Sequence, residues 1–512
     1  MRKRALVSVS DKTGVVELCR FLSSKNVELV STGGTGKALS DAGIPYLPIE
    51  EITGNPEAFG GRMKTLSFHI EAALLYREDN PSDQEQAKLL GIKRIHYLIC
   101  NLYPFDRTVR SSDELSEWIE NIDVGGPTML RAGAKNHAAV AVLSHPRQYQ
   151  SVMDELRSND TLSDDMKASL AVEAFQLTAG YDLRVASALT KRLASNLRYG
   201  ENPHQGAVLL PLHNTSTPHT LARSAKLQGK ELSYNNWLDA DQAFKLCSEI
   251  HADLGCSGEK STAVIVKHGT PCGVALHRDP LKALQLAIDA DPMSAFGGIV
   301  SVSFEVSLEV AKLLTTIFFE LIVAPSFSED ALQELSKKKN LRLLRCPMKA
   351  PDSGEWTVRS IHGGLLIQDE DELISSQFES VTRKPFGTER TDLVRFGLHV
   401  TKHLKSNCIG VYGENESGGL VTLVTGVGQP NRLECITKLI QPRIVENKIN
   451  VSDGVLISDA FFPFPDSIEA CAKLGIRYIV QPGGSIKDSE VISACDRHGI
   501  AMVFTKMRHF RH

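Results

Sequence analysis

The 512-residue sequence lacks several patterns that would assign it to a specialised class of protein. Its ten cysteines are scattered with no CxxC spacing, which argues against structural zinc and favours a reducing, cytoplasmic setting. No apolar run approaches the ~20 residues that cross a bilayer, and the apolar stretch after the basic start is too short for a secretory signal. The net charge of −4 gives no sign of bulk binding to nucleic acid or anionic membrane. We therefore expect a cytoplasmic protein without nucleic-acid or membrane partners.

An ordinary globular composition is present instead, 42% hydrophobic and 23% charged, in a chain long enough for several domains. Strand-like and helix-like patterns alternate through the first part of the chain, as where RALVSVS is followed by DKTGVVELCRFLSS. This alternation predicts an α/β fold with a doubly wound parallel sheet. A helical stretch over residues 165–195 ends before LRYGENPHQG, whose Gly, Asn and Pro residues indicate a domain boundary.

The remaining sequence shows a faint internal echo. Lys267 and Lys405 both lie at predicted strand ends, and residues 294–296 resemble residues 459–461. A duplicated α/β unit is one interpretation, although so short an echo is weak evidence. We divide the chain into residues 1–195, 196–357 and 358–512.

A candidate catalytic pair follows the apolar run in AVIVKHGTPCGVA, residues 263–275. Four consecutive apolar residues predict a buried strand in a parallel sheet. Lys267 and His268 would then lie at its carboxyl end, where open α/β sheets bind ligands. A histidine that titrates near neutral pH beside an ammonium suits proton transfer. A chance Lys-His pair at a strand end is the alternative.

Two glycine-containing loops, SVSDKTG and STGGTGK, each follow a predicted strand and open a predicted helix. Glycines let the backbone approach an anion, and a helix N-terminus carries about half a positive charge. The hydroxyl and ammonium groups that fit a phosphate monoester are those of Ser10, Lys12, Thr13 and Thr35. Neither loop has the Walker A spacing, and tight turns with N-caps are the alternative for either loop alone. Two such loops at successive strand ends favour phosphate binding.

Further polar side chains occur where strands should end or helices begin. They are Arg62, Lys64, Thr65, Asn101, Tyr103, Asp123 and Lys135, with a Gly125-Gly126 turn among them. Four of these groups together would polarise a carbonyl and shuttle protons, namely Lys64, Tyr103, Asp123 and Lys135. For each one singly, a surface ion pair or a tyrosine with an apolar body is the alternative.

Longer segments carry a family resemblance that runs nearly from end to end. They are VSVSDKTG, STGGT, GRMKTL, NLYPF, NIDVGGPTMLRAGAKNH, LRYGENPHQ, GKELSYNNWLDAD, VKHGTPCG, DPMSAFGGIV and SDAFFPFPDSIEA. In this order they resemble the bifunctional purine-biosynthesis family, which joins an inosine monophosphate (IMP) cyclohydrolase to an aminoimidazole-carboxamide ribonucleotide (AICAR) formyltransferase. The resemblance implies a methylglyoxal-synthase-like, doubly wound N-terminal domain followed by two cytidine-deaminase-like α/β subdomains. It implies no zinc site, because Cys272 has no second cysteine at PCxxC spacing.

The resemblance implies two consecutive reactions. In the first, the amine of AICAR attacks the formyl carbon of the co-substrate 10-formyltetrahydrofolate, giving formyl-AICAR (FAICAR) with no metal required. That amine is a weak nucleophile because its lone pair is delocalised, so catalysis is needed where its proton is removed. In the second, FAICAR closes onto its own carboxamide nitrogen and loses water, giving IMP. The implied partners are these small molecules, and the implied assembly is a homodimer with shared transformylase sites.

The resemblance also assigns roles in formyl transfer. His268 matches the proton-transfer histidine, and Lys267 matches a lysine that stabilises charge on the formyl oxygen. The implied nucleotide contacts are Arg198, Tyr199, Asn236, Gly297, Glu320, Asn407, Arg432 and Arg508. The implied folate contacts are Phe461 and Ser485.

In the cyclohydrolase, the resemblance makes Lys135 the leading proton donor or acceptor. Asp123 and Tyr103 would orient the carboxamide and formyl groups, and Lys64 is also present at its matching place. The residues implied to line this nucleotide pocket are Ser10, Lys12, Thr32, Gly33, Gly34, Thr35, Arg62, Thr65, Cys100 and Asn101.

The chain departs from the family pattern at three places. Ser67-Phe68 replaces a usual His-Pro, Gly269-Thr270 follows the Lys-His pair, and Pro430 precedes Asn431-Arg432. The first change leaves open an enzyme that performs formyl transfer alone, and retained pockets without turnover would suit a nucleotide-binding regulatory protein. The leading hypothesis is the two-site enzyme, in which dehydrative cyclisation draws a poorly driven formyl transfer forward.

Overall fold

The computed structural model of the chain describes residues 2–56, 58–193, 197–211, 220–255, 259–348 and 356–512. The chain divides into two compact units, Met1–Ser195 and Asn196–His512. The predicted boundary between residues 195 and 196 lies outside the described residues, and the predicted boundary at residue 357 falls inside a strand. No helix in the described ranges combines the length and apolar character that crossing a membrane requires.

The first unit alternates strands with helices, as the sequence pattern predicts. Its strands are β1 (Arg4–Val9), β2 (Glu28–Ser31), β3 (Leu47–Pro48), β4 (Tyr97–Asn101) and β5 (Ala141–Leu143). Its α-helices are α1 (Val15–Ser24), α2 (Gly33–Asp41), α3 (Glu50–Thr53), α4 (Phe68–Leu75), α5 (Pro81–Leu89), α6 (Phe105–Ser111), α7 (Leu115–Glu120), α8 (Gly125–Lys135), α9 (Tyr149–Asn159) and α10 (Asp164–Leu193). Short 3-10 helices cover Phe59–Gly61 and Pro146–Gln148.

The sheet of the first unit runs in the order β3-β2-β1-β4-β5, and every neighbouring pair is parallel. Alternate residues of β1 pack on opposite faces: Ala5 and Val7 lie with α1 and α9, whereas Leu6 lies with α4, α8 and α10. Helices therefore cover both faces, which confirms the doubly wound prediction. The strand order reverses between β1 and β4, and in open sheets ligands bind at such a switch point.

The second unit contains the remaining elements. Its strands are β6 (Ala225–Gln228), β7 (Ser261–Lys267), β8 (Thr270–His277), β9 (Ile299–Val302), β10 (Leu321–Ala324), β11 (Arg342–Arg345), β12 (Trp356–Ile361), β13 (Gly364–Asp369), β14 (Glu379–Ser380), β15 (Ile409–Glu414), β16 (Leu420–Gly426), β17 (Val455–Ser458), β18 (Tyr478–Gln481) and β19 (Ala501–Phe504). Its α-helices are α11 (Tyr234–Ile250), α12 (Pro280–Ala290), α13 (Pro292–Ala295), α14 (Leu308–Thr316), α15 (Glu329–Leu335), α16 (Thr391–Lys402), α17 (Arg432–Glu434), α18 (Gln441–Asn447), α19 (Asp466–Lys473) and α20 (Asp488–His498). The 3-10 helices Leu221–Arg223 and Thr388–Arg390 and the π-helices His251–Gly255 and Cys435–Ile440 complete it.

The second unit is internally duplicated. Among its described residues, a 12-stranded sheet runs β14-β19-β18-β17-β15-β16-β8-β7-β9-β10-β11-β6. Read outward from the central β8–β16 pair, both halves give the same sequence of pairings: antiparallel, antiparallel, parallel, parallel, antiparallel. Two copies of one α/β unit thus join through antiparallel β8 and β16.

The short sequence echo does not mark equivalent positions in these halves. Lys405 lies between α16 and β15 rather than at a strand end, and residues 294–296 precede β9, whereas residues 459–461 follow β17. The duplication is therefore one of topology, and the echo that suggested it is wrong in detail.

The prediction that the strand before Lys267 lies in a parallel sheet is also wrong. Strand β7 pairs with β8 and β9, and both pairs are antiparallel. The run is apolar because both faces of β7 are buried, a property that central antiparallel strands share with parallel ones. The turn after Lys267 makes β8 an antiparallel neighbour of β7, because Lys267 pairs with Thr270 and only two residues form the hairpin loop.

Candidate active sites

The two predicted phosphate loops meet at the switch point of the first sheet. Asn101, at the end of β4, accepts the N–H groups of Ser10 and Asp11 at 2.7 and 2.9 Å through its Oδ1 atom. Thr35 bonds through its hydroxyl to the backbone of Val9 at 3.1 Å. The loop after β1 is thereby fastened both to β4 and to the start of α2.

The N-terminus of α2 has the features of an anion site. The N-cap Thr32 makes no capping bond; its hydroxyl lies 3.2 Å from that of Ser8. The first N–H groups of the helix, at Gly33 and Gly34, therefore lack a side-chain cap, and such groups bind phosphate readily. The hydroxyls of Thr32 and Thr35 are buried and bonded to protein, so binding falls to the backbone here.

Lys64 lies against this helix N-terminus. A Cβ atom added to Gly33 would be 2.5 Å from the ammonium nitrogen of Lys64, so only a glycine allows so close an approach. Thr65, which is buried, likewise contacts the position of a Cβ at Gly125. The neighbouring Arg62 instead pairs with exposed Glu120 at 2.5 Å. Lys64 and the amides of α2 together form a cationic corner at the edge of the sheet.

Asp123 organises the opposite side of the crevice. Its carboxylate accepts the N–H of Gly126 at 2.8 Å and that of Tyr103 at 3.3 Å, and its own N–H donates to Tyr181 at 2.7 Å. Burial raises the pKa of Asp123, while these two backbone bonds favour its charged form. The side chain of Tyr103 is 54% exposed, so its hydroxyl is accessible to a ligand.

Two other predicted residues, Lys135 and Cys100, lie in surroundings that differ from those of Asp123 and Tyr103. Lys135 is exposed in the last turn of α8, about 15 Å along the helix axis from Gly125, so the fold does not bring it beside Asp123. Cys100 is buried on β4, and burial raises the pKa of its thiol, which keeps it neutral. It belongs to the hydrophobic core on one face of the sheet, so its predicted role in lining the pocket stays a prediction.

The Ser67-Phe68 departure leaves the local helix start intact. Ser67 is the N-cap of α4, and its hydroxyl accepts the N–H of His69 at 3.2 Å. Phe68 is 62% exposed and fills the first helical position. The chain after Lys64 therefore retains a well-capped helix.

In the second unit, the Lys-His pair sits on the β7–β8 hairpin turn. His268 and Gly269 have φ angles of 51° and 69°, the left-handed values of a type I′ turn. The side chain of His268 is exposed. It faces a cavity of about 500 Å³, as sequence reasoning requires of a catalytic residue. The cavity is lined by Lys267, His268, Thr270, Cys272, Asp291, Met293, Ser294, Thr425, Val427, Gln429, Leu439 and Arg443.

Lys267 is held beside Gly297. Its ammonium donates to the carbonyl of Phe296 at 2.5 Å, and a Cβ added to Gly297 would lie 3.8 Å from it. Gly297 has a φ of 75° and donates to the carbonyl of Phe318 at 2.7 Å. Glu320, a predicted nucleotide contact, lies two residues after Phe318 in the sequence. Its carboxylate forms an ion pair with buried Arg342 at 2.5 Å.

The predicted contacts near α11 are partly committed to structure. Arg198 lies over the ring of Tyr199 at 5.1 Å, and the carbonyl of Tyr199 accepts the N–H of Tyr234 at 3.1 Å. Asn236 is buried in a capping box with Ser233, in which each side chain accepts the other's N–H. The carbonyl oxygen of Asn236 is thus used by α11 itself.

A further group of predicted residues gathers near the C-terminus. Arg432 donates to Asp459 at 2.9 Å and to Ser458 at 3.1 Å, and both Arg432 and Arg508 approach the ring of Phe510. Asn407 donates to the carbonyls of Gln429 and Pro430 at 2.9 and 3.0 Å. The predicted folate residues lie apart in sequence: half-buried Phe461 follows β17, and Ser485 accepts the N–H of Lys487 before α20.

Sequence reasoning missed Asp239. Its carboxylate accepts the N–H of His268 at 3.0 Å and that of Gly269 at 2.6 Å. Asp239 belongs to the segment GKELSYNNWLDAD, which carries part of the family resemblance. That segment was a signal for the residue, but no spacing in the chain links it to the hairpin turn.

A second cavity, of about 490 Å³, lies between α11 and α16. Its centre is Glu249, whose carboxylate is 3.1 Å from Lys402 and 3.0 Å from His403. Burial raises the pKa of Glu249, but the interactions with His403, His399 and Lys402, which include hydrogen bonds from both histidines, outweigh it and hold the pKa well below its usual value. These buried charges satisfy one another, so we interpret the cluster as a bond between equivalent helices of the two halves.

No group of three or more His, Cys, Asp or Glu side chains that could hold a metal ion occurs within the described part of the chain.

Comparison with known proteins shows the family to which the chain belongs. A family model described as AICARFT/IMPCHase bienzyme matches residues 133–441, and one described as MGS-like domain matches residues 14–128. The chain belongs to the AICARFT/IMPCHase bienzyme family. Relatives named bifunctional purine biosynthesis protein PurH, from Persephonella marina and Bacillus mycoides, are 42% and 41% identical over 530 and 531 residues. A third relative of the same name, from Ruminiclostridium cellulolyticum, is 42% identical over 542 residues. All three alignments cover 100% of both chains.

Membership in the AICARFT/IMPCHase bienzyme family confirms three predictions. The family resemblance is correct, the N-terminal domain is MGS-like, and the chain is a bifunctional enzyme of purine biosynthesis with formyltransferase and cyclohydrolase activities. The regulatory-protein alternative is not favoured, because the family is one of enzymes.

Proposed function

We propose that the two activities are divided between the two units. The cyclohydrolase occupies the crevice of the first unit, and the formyltransferase occupies the hairpin cavity of the second, with 10-formyltetrahydrofolate as co-substrate. The observation that carries this assignment is His268, which lies exposed on a rigid turn at a cavity of about 500 Å³ beside the anchored Lys267. The duplicated halves of the second unit correspond, in this proposal, to cytidine-deaminase-like subdomains over residues 196–357 and 358–512.

In formyl transfer, AICAR supplies the nucleophile and the folate supplies the formyl carbon. The imidazole of His268 accepts the proton of the amine as the new N–C bond forms, and such general-base catalysis contributes about 10²–10⁴-fold. The ammonium of Lys267 stabilises the negative charge that develops on the formyl oxygen. Collapse of the tetrahedral intermediate breaks the bond to the folate nitrogen, which takes up the proton held by the imidazolium of His268, and tetrahydrofolate leaves.

The other predicted transformylase contacts fit roles in holding the ligands. Arg432 and Arg508 offer guanidinium groups that suit a phosphate, and Asp459 and Phe510 restrain the former. Phe461 and Ser485 are proposed to contact the folate. Gly297 keeps the space beside Lys267 open for substrate.

In cyclisation, the N-terminus of α2 and Lys12 would hold the ribonucleotide phosphate. Asp123 and Tyr103 orient the carboxamide and the formyl group, and an ammonium polarises the formyl oxygen that leaves as water. The ammonium of Lys64 lies against the first residue of α2, so we assign this step to it. Lys135 lies at the far end of α8, so we do not assign it the leading role in proton transfer that the sequence predicts. That role is tested separately.

We also propose that the chain acts as a homodimer in the cytoplasm. The β12–β13 hairpin exposes every residue, and Trp356, Val358, Leu365 and Ile367 share one face. A lone two-stranded hairpin with so apolar a face is marginal in water, which supports its packing against a second copy. The free thiol state of the described cysteines fits a reducing compartment. Light scattering at several concentrations tests the assembly, and a stable, active monomer would contradict it.

The decisive experiment measures two products. The purified chain is incubated with AICAR and 10-formyltetrahydrofolate, and tetrahydrofolate and IMP are followed together. Both products are expected, since the cap at Ser67 preserves the cyclohydrolase unit despite its sequence departure. Tetrahydrofolate and FAICAR without IMP would support formyl transfer alone, and the absence of both products would overturn the proposal.

A further inference from the structure

We propose that Asp239 is a positioning residue for formyl transfer, because its carboxylate fixes the hairpin turn that presents His268 to the transformylase cavity. The inference rests on the proposed function of Lys267 and His268. It concerns a residue that touches neither substrate nor folate but sets where the proton acceptor lies.

The contact is a clamp on two consecutive amides. The Oδ2 atom of Asp239 accepts the N–H of His268 at 3.0 Å, and the Oδ1 atom accepts the N–H of Gly269 at 2.6 Å. Hydrogen bonds to an ionised carboxylate are roughly twice as strong as neutral ones. Asp239 itself is carried by α11, a 17-residue helix packed on the core of the second unit, so its position is firm.

The turn needs such a clamp because of its backbone. His268 has a φ of 51°, a left-handed conformation that costs a non-glycine residue about 1 kcal/mol or more. The strand ladder pairs Lys267 with Thr270 and leaves the two central N–H groups outside it. Without the carboxylate those amides bond to water, and the turn is free to relax into conformations that aim the imidazole elsewhere.

The geometry also separates Asp239 from direct proton transfer. Each of its oxygens already accepts a backbone N–H, and the residue is half-buried behind the turn. The cavity is lined by His268 and Lys267 and not by Asp239. Its effect on catalysis therefore passes through the turn.

The test replaces Asp239 by asparagine, which keeps one acceptor oxygen and turns an NH₂ group toward a backbone N–H. For D239N we expect kcat for formyl transfer to fall about 10–10²-fold, since a misplacement near 1 Å costs that much, while KM for AICAR changes less than about threefold. Cyclisation of supplied FAICAR, in the other unit, should persist and reports a folded chain. The matched control is D241N on the same helix, whose carboxylate lies 3.5 Å from the ammonium of Lys245.

A second pair of variants probes the same turn without touching the carboxylate. A Cβ at Gly269 would meet only Gln242 at 3.7 Å, so there is room for a side chain and the obstacle is its φ of 69°. Asparagine adopts left-handed backbone more readily than alanine. We expect G269A to lower kcat and G269N to regain at least about fivefold of it, a rescue that a purely structural role would not give.

Each outcome decides between the two proposals. If the unmodified chain transfers no formyl group, the proposed function fails. If it does and D239N keeps the wild-type kcat, the inference on Asp239 is overturned alone. If D239N loses cyclisation as well, the glycine pair decides: equal kcat values for G269A and G269N overturn the inference, and rescue by asparagine supports it.

Discussion

The most direct test of the proposed cyclohydrolase crevice is the replacement of Gly33 by alanine. The added Cβ would lie 2.5 Å from the Nζ atom and 3.3 Å from the Cε atom of Lys64. Since favourable contact begins at about 3.5 Å, the ammonium must retreat by about 1 Å. Lysine is long and flexible, so it yields to the methyl group without disturbing the core.

The size of the effect follows from that displacement. A catalytic group moved by about 1 Å costs about 10²-fold in rate, so we expect cyclisation of FAICAR by G33A to fall by that factor. Stability should change little. Alanine in place of glycine favours a helix by up to about 1 kcal/mol, and the φ of 21° at Gly33 opposes that gain.

Gly34 supplies the matched control. It is the next residue of the same helix turn, and a Cβ added there meets no atom within 4 Å. Cyclisation, formyl transfer and melting temperature are measured for G33A, G34A and the unmodified chain. Wild-type cyclisation by G33A would refute the role assigned to Lys64, and equal losses in both variants would point to the helix N-terminus instead of the ammonium.

Three further predictions address the other groups. His268→Ala should lower formyl transfer by ~10²-fold or more while cyclisation of supplied FAICAR persists, and equal loss of both would contradict separate sites. Lys135→Ala should spare tetrahydrofolate release; a loss of that release would contradict the division between units. Burial lowers the pKa of His96 from its usual 6.5 to about 4, so its contribution to stability is complete above pH 6.5 and is lost as the pH falls toward 4. His96→Asn keeps an acceptor for the N–H of Arg4 and cannot titrate. The full shift corresponds to about 3.4 kcal/mol, which we reduce to about 2 kcal/mol because His96 is only half-buried and solvent screens its charge. The variant should therefore lose about 2 kcal/mol of the pH dependence of the unfolding free energy over that range, as measured by urea unfolding; an unchanged pH dependence would count against the burial argument.

The architecture of the first unit was predictable because hydrophobic periodicity is local. The alternation of Ala5, Leu6 and Val7 between two cores is written directly in β1, and a strand with both faces covered belongs in a doubly wound sheet. Periodicity did not identify the neighbours of β7. A two-residue turn reverses the chain after Lys267, and a buried run looks the same whether its partners are parallel or antiparallel.

The predicted site residues likewise divide into those that the sequence pattern places together and those that it does not. Ser10, Asn101 and Thr35 come together because they follow strands whose ends share one sheet edge, a relation that the sequence pattern contains. Lys135 does not join them, because the length of α8 separates it from the crevice. Asp239 could not be found from spacing, since it is 29 residues from His268 and the contact exists only after α11 packs on the sheet.

The duplicated halves show what the topology leaves undecided. Both hairpins next to the centre of the large sheet have the same pairing, but β7–β8 closes through His268 and Gly269, whereas β15–β16 needs residues 415–419. In that longer loop, Asn415 accepts the N–H groups of Ser417 and Gly419 at 3.2 and 2.7 Å, and no Lys-His pair is present in its sequence. Instead, residues at the end of β16, in the second half, line part of the cavity. On our proposal, the chemistry of formyl transfer therefore belongs to the β7–β8 turn and to Asp239, which holds it, rather than to the repeated fold.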